Sequence, residues 1–249
     1  MYHTGLVSVS FRSLSPEEII QAAKKAQLNW IEWGSDVHAP YYDSERLDMI
    51  AACQKAAGLR CSSYGTYFTL GKDNPEDLDN YIAAAKRLGT TTLRLWCGSK
   101  GSQDYTSEEL NALYEDCRTA AATAETHGVT LCMECHNGTL TDTKESALAL
   151  METVHSPAFR MYWQPNQYRT EKENIRYLQM LKPYIDHLHV FQWVGDQKYP
   201  LADGIAIWKT YLNMLDGDRT LLLEFMPDHS PESLPIEADS LRRIIQEVN

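Results

Sequence analysis

The chain has 249 residues, with 23 Lys and Arg against 34 Asp and Glu, a formal net charge of −11, and 43% hydrophobic residues. That composition builds a large core and excludes a disordered chain; no apolar run of about 18 residues is present to span a membrane, and the start, MYHTGLVSVSF, lacks the charged and apolar regions of a signal peptide. The negative charge opposes non-specific binding to nucleic acid, so the expectation is a cytoplasmic protein acting on a small molecule, with neither nucleic acid nor membrane as partner.

Along the chain, strand and helix patterns alternate. Gly5–Phe11 reads as a strand, and Ser15-Pro16-Glu17-Glu18 opens a helix to about Ala26 with a cap, a proline and two acids. Trp30–Trp33 is a second strand, Ser44–Ala57 a helix stopped by Gly58, and Cys61–Tyr67 a third strand. Asn74-Pro75 opens a helix closed by Gly89, Thr91–Trp96 is strand four, and Thr106 or Ser107 caps a long helix ending near His127. Val129–Cys135 is strand five, followed by a helix over Thr141–Val154 with Asp142 or Thr143 as cap. Arg160–Gln164 and His187–Trp193 are strands six and seven, separated by a helix over Glu171–Leu181. A helix over Ile205–Leu215, a strand over Thr220–Phe225 and an amphipathic helix over Pro235–Val248 complete the chain, the last with Ile236, Leu241, Ile244, Ile245 and Val248 as its apolar stripe.

Eight strand–helix units recurring roughly every 31 residues predict an α/β fold, a single-domain (β/α)8 TIM barrel. A doubly wound sheet would want a glycine-rich turn after strand one, and residues 8–15 contain no glycine. Cys132 and Cys135 have C-x-x-C spacing, but strand alternation points them to opposite faces, so all six cysteines are expected to be reduced packing residues.

Active sites of such barrels lie at the carboxyl ends of the strands. Alternation puts Glu134 and His136 on one face of strand five, and His187 and His189 on one face of strand seven. Glu224 sits in the apolar run Leu221–Phe225, where a buried carboxylate needs a partner or a metal. Glu134, His189 and Glu224 therefore predict a site for a divalent ion such as Mn, Mg, Co or Zn. His38, Arg94, Trp96, His136 and His187 are candidates for contacts to substrate. Arg94 offers a fork for a carboxylate or phosphate, or alternatively an internal pair with Glu32 or Glu134. Trp96, Trp163, Phe191 and Trp193 are candidates for an apolar wall against the carbon face of a sugar.

With the Ser-Pro-Glu-Glu helix, Trp30-Ile31-Glu32-Trp33, Leu131–His136, His187-Leu188-His189 and Leu222–Phe225 in this order, the chain resembles the xylose isomerase-like TIM-barrel superfamily, in its sugar phosphate isomerase and epimerase group. The resemblance implies one divalent metal held by Glu134, Gln164, His189 and Glu224, with Glu32 on the pocket floor. It also implies Glu134 and Glu224 as the catalytic pair, a small sugar as substrate, and association as a homo-oligomer. The chain departs at strand six: Gln164 stands where the family has an aspartate, and Gln167 where it has a substrate-contacting histidine. The metal is then expected to be weakly bound or absent. The implied reaction is proton transfer through an enediolate, an isomerisation or epimerisation of a keto-sugar. Its alternatives are dehydration of the inosose or dehydroshikimate type, and a metal-free barrel that only binds sugar.

Overall fold

A computed structural model describes residues 1–248 and shows strands and helices placed by the caps the sequence carries. The barrel strands are β1 (Tyr2–Val7), β2 (Trp30–Gly34), β3 (Arg60–Leu70), β4 (Thr92–Cys97), β5 (Thr130–Glu134), β6 (Phe159–Trp163), β7 (Ile185–Val190) and β10 (Arg219–Leu223). They pair in parallel and close in the order β1-β10-β7-β6-β5-β4-β3-β2. A small antiparallel hairpin, β8 (Gln192–Val194) with β9 (Gln197–Tyr199), stands outside that ring.

The helices are α1 (Pro16–Lys25), α2 (Ser44–Ala56), α3 (Leu78–Leu88), α4 (Ser107–His127), α5 (Lys144–Val154), α6 (Glu171–Leu181), α7 (Ile205–Leu212) and α8 (Leu234–Gln246). Ser15 with Glu18, Thr106 with Glu109, and Thr170 with Glu173 form reciprocal capping boxes at the starts of α1, α4 and α6. The eight units thus make a (β/α)8 barrel. Its main core lies between the strands and the helix ring, and includes Leu131, Met133, Met161, Trp163, Leu221 and Leu223. A second apolar cluster fills the inside of the ring with Val7, Cys132, Tyr162 and Leu222. Strand alternation sets this division, since Cys132 belongs to the inner cluster and Cys135 to the outer core. All six cysteines are free. No helix among the described residues is long and apolar enough to cross a membrane.

Several expected elements differ from the observed ones. The first strand ends at Val7, and Ser8–Phe11 is a 3-10 turn instead of more strand. Its cause is the Ser8 hydroxyl, which accepts a hydrogen bond from Gly34 N and meets His38 Nδ1. The seventh strand stops at Val190, and residues 192–199 leave the barrel as the hairpin. In α8, Ile236 is 64% exposed and lies off the buried stripe, which Leu234, Ala238, Leu241 and Ile244 provide.

Candidate metal centre

The inner face of the ring carries a polar layer above the apolar cluster. Side chains from β2, β4, β5 and β7 meet there, although β2, β5 and β7 are not mutual neighbours, so they touch across the barrel interior. Arg94 is the hub. Its Nε donates to Glu32 Oε1 at 2.9 Å, and its Nη1 donates to Glu134 Oε2. Glu32 Oε2 accepts from the Ser63 hydroxyl at 2.9 Å, and Glu134 Oε2 also accepts from Trp96 Nε1 at 2.6 Å. A buried cation between two carboxylates satisfies the rule that interior charges be paired. Gly65 on β3 makes the room: a Cβ there would come within 2.6 Å of Glu32 Oε1 and 3.1 Å of an Arg94 nitrogen.

Above this pair, four donors converge. His189 Nδ1 lies 3.5 Å from Glu134 Oε1, 3.4 Å from Glu224 Oε2 and 3.0 Å from Gln164 Oε1. Gln164 Nε2 donates to the Cys135 carbonyl at 3.2 Å, which turns the amide oxygen toward the cluster. Glu134, His189 and Glu224 are buried, and their ligand atoms lie within 4.8 Å of one another. Donors about 2.1 Å from a shared ion stand roughly 3.0–3.4 Å apart in octahedral or tetrahedral shells. The spacing around His189 Nδ1 matches, and two carboxylates, an imidazole and an amide oxygen suit a hard or borderline divalent ion. His189 Nε2 has no hydrogen-bond partner among the described residues but faces Glu32 Oε2 at 3.6 Å, the carboxylate position that orients metal-binding histidines.

The two glutamates differ in character. Burial alone would raise Glu134, but the Arg94 guanidinium and the His189 ring overcome it and hold the carboxyl at about 2. Burial raises Glu224 above the usual carboxylate range; His189 opposes the rise and Glu134 adds to it. For His189, burial disfavours the charged ring, yet Glu224 and Glu32 outweigh burial and raise it to about 10. Without an ion, a proton on His189 is what neutralises the carboxylates around it.

The donors open into a cavity of about 120 Å³, lined among others by Glu134, His136, Gln164, Gln167, Phe191 and Trp193. At about 10–15 Å³ per water-sized position, that is room for a small polyol or ring acid. Phe191 and Trp193 stack at 4.3 Å, and Trp193 meets Phe225 at 5.7 Å, so one wall is aromatic. His136 Nδ1 lies 2.7 Å from the Asn137 carbonyl, which can only accept, so Nδ1 carries a proton and, in the neutral ring, the lone pair is on Nε2.

Several expected substrate contacts sit elsewhere. His38 is fully buried between the Ser8 hydroxyl and the Leu14 carbonyl, so it braces the β1 and β2 ends and does not line the cavity. Glu32 and Arg94 lie beneath the donors and are engaged with each other, leaving Arg94 no free fork for a ligand. His187 stacks on Tyr162 at 5.0 Å, one layer below His189, where burial lowers it to about 4. Trp163 faces outward against Trp208 and Tyr211, so it belongs to the outer core and not to the cavity wall. Trp96 reaches the site through Glu134 and lies 5.1 Å from the His136 ring. Phe225 and the hairpin that carries Trp193 escaped the sequence reading; the Gly195-Asp196 turn signal within 192–199 was the available clue.

Comparison with known proteins agrees with this architecture. Residues 20–248 match the family model described as xylose isomerase-like TIM barrel. The chain is 25% identical over 195 residues to the 3-dehydroshikimate dehydratase of Bacillus anthracis, covering 74% of this chain and 70% of that protein. The crystal structure of the probable 3-DHS dehydratase AsbF from Bacillus anthracis superposes with a TM-score of 0.83 at 22% identity, over 97% of this chain and 99% of that one. The IolI protein, solved with a zinc atom, superposes with a TM-score of 0.79 at 14% identity over 99% of both chains. The chain belongs to the xylose isomerase-like TIM barrel family.

Proposed function

We propose that the protein is a dehydratase that removes water from a small cyclic hydroxyketone of the 3-dehydroshikimate kind, using a divalent ion. The observation that carries this reading is the convergence of Glu134, Gln164, His189 and Glu224 on a cavity with His136 at its edge. The similarity to the Bacillus dehydratase supports the substrate class. The four converging residues would hold the ion. When bound, it supplies Lewis-acid polarisation of a carbonyl, which acidifies the adjacent C–H.

The chain's own groups divide the remaining work. Glu134, clamped by Arg94 and Trp96, stays ionised and fixed, which makes it a positioning carboxylate and a weak base. His136 Nε2 has the free lone pair and takes the proton from the carbon beside the ketone. The electron pair of that C–H bond forms the new double bond as the β-carbon–oxygen bond breaks. His136 returns its proton to the departing hydroxyl, so one water leaves and the base is regenerated. The stacked wall of Phe191 and Trp193 suits the flat face of the ring that results.

A second reading, isomerisation or epimerisation of a keto-sugar, is favoured by one observation. Glu134 and Glu224 both approach His189 Nδ1, and such a pair can take a proton and return it. Incubation with 3-dehydroshikimate and with a ketose panel, each with Mn, Mg, Co or Zn, separates the readings by mass spectrometry. We expect loss of one water and an aromatic ultraviolet band from 3-dehydroshikimate, abolished in Glu224→Gln and reduced at least about a hundredfold in His136→Ala. Conversion of a ketose at unchanged mass, with 3-dehydroshikimate left intact, would replace dehydration by the second reading.

A further inference from the structure

The hairpin places a cation against two of the rings that line the cavity, and the donor cluster does not use it. Lys198 lies opposite Trp193 in the β8–β9 register. Its Nζ stands 4.9 Å from the Trp193 ring centroid and 4.9 Å from that of Phe225, and both rings line the cavity. Its polar neighbours are the two ring nitrogens of His229, at 3.5 and 3.3 Å. Among the described residues no carboxylate lies within ion-pair distance of it, and the carboxylate whose charge reaches it through space is Glu224, a member of the donor cluster. The other cations near the mouth are committed: Arg94 to Glu32 and Glu134, and Arg12 to Asp36 and the Tyr67 hydroxyl.

Charge explains what this arrangement selects. Two carboxylates and a divalent ion sum to zero, so the loaded donor site is neutral and the Lys198 ammonium remains uncompensated beside it. Apolar rings on two sides withhold water from the ammonium, which strengthens its pull on an anion. Phe225 (φ 50°) and His229 (φ 59°), the two residues beyond the hairpin against which the ammonium rests, both have backbone in the left-handed region. The buried Trp193 Nε1–H has no partner among the described residues and adds an unused donor on the same wall.

We propose that Lys198 is the specificity-determining residue for an anionic substrate group: it receives a carboxylate, and thereby selects a ring acid over a neutral sugar. This rests on the proposed dehydratase reading for the position of the substrate, but its test does not require turnover. Shikimate carries the carboxylate without the ketone, so it binds without reacting. Isothermal titration calorimetry of the full-length protein in excess manganese compares shikimate with its methyl ester. The wild type is expected to bind the acid about ten- to a hundredfold more tightly than the ester. Lys198→Met is expected to erase that preference at unchanged manganese affinity, and Lys198→Arg to keep most of it. Equal or undetectable binding of acid and ester by the wild type, or a preference that survives in Lys198→Met, would overturn the assignment. A protein that shows the preference yet does not dehydrate 3-dehydroshikimate would refute the proposed reaction and leave the role of Lys198 standing.

Discussion

Gln164 carries an uncharged oxygen into a cluster whose other members are two carboxylates and an imidazole, and it is aimed there by its bond to the Cys135 carbonyl. The strength of an oxygen-rich site follows the charge of its ligands. Gln164→Asp should therefore tighten manganese binding about tenfold or more in calorimetric titration; unchanged affinity would mean that position 164 lies outside the ion's shell. Below it, Arg94 neutralises two buried acids at once. Arg94→Met should cost about 3–5 kcal/mol in urea unfolding, because it strands Glu32 and Glu134 without a counter-ion, and adding Glu32→Gln should return part of that loss. Strand parity made Glu134, His189 and Glu224 legible as inward-facing residues. Depth was legible for Glu32, expected on the pocket floor, but not for His187, which shares the inward face and lies a layer beneath the cavity. His38 follows no alternating pattern, and only the fold shows that its partners are Ser8 and the Leu14 carbonyl.

Elements differ in how much of their course short-range signals dictate. Helix starts were legible because caps act locally; Thr143 accepts from Ser146 N and starts α5 at Lys144, three residues after the expected start at Thr141. Strand ends were less so, because they depend on distant partners. The alternation of Leu6–Phe11 reads as continued strand, yet β1 is ended by contacts to residues 34 and 38. Likewise the run from His187 to Trp193 divides at Val190, and a two-residue turn at Gly195 (φ 57°) folds the following segment over the mouth. Within β3, Gly65 is required by the ion pair beside it and not by a turn. Gly65→Ala should destabilise the barrel by about 1–3 kcal/mol through overpacking, and should weaken manganese binding by displacing Glu134 through Arg94. A variant with wild-type stability and metal affinity would show that the pair can shift without consequence.

For the molecule as a whole, the charged layer inside the barrel makes stability depend on pH in opposite senses on the two sides of neutrality. Glu134 sits at about 2 in the folded chain, against roughly 4.3 when unfolded, so its contribution is present above about pH 5 and is lost as pH falls toward 2. His189 is raised to about 10 against roughly 6.5 unfolded, so its contribution is full below about pH 6 and is lost as pH rises through 10. Chelator-treated protein should have its highest urea midpoint between about pH 5 and 6.5 and decline on both sides. A midpoint that stays level from pH 6.5 to 10 would contradict the assignment of a proton to the imidazole. The barrel itself was legible from eight repeated units, since a parallel sheet needs a crossover at each step and the spacing leaves room for one helix apiece. What function the barrel serves depends on the four side chains at its mouth, and anomalous X-ray diffraction from manganese-soaked crystals tests that point most directly. One strong peak is expected about 2.0–2.6 Å from Glu134, Gln164 Oε1, His189 Nδ1 and Glu224. Manganese absent from that point at millimolar concentration, or bound elsewhere on the chain, would contradict it.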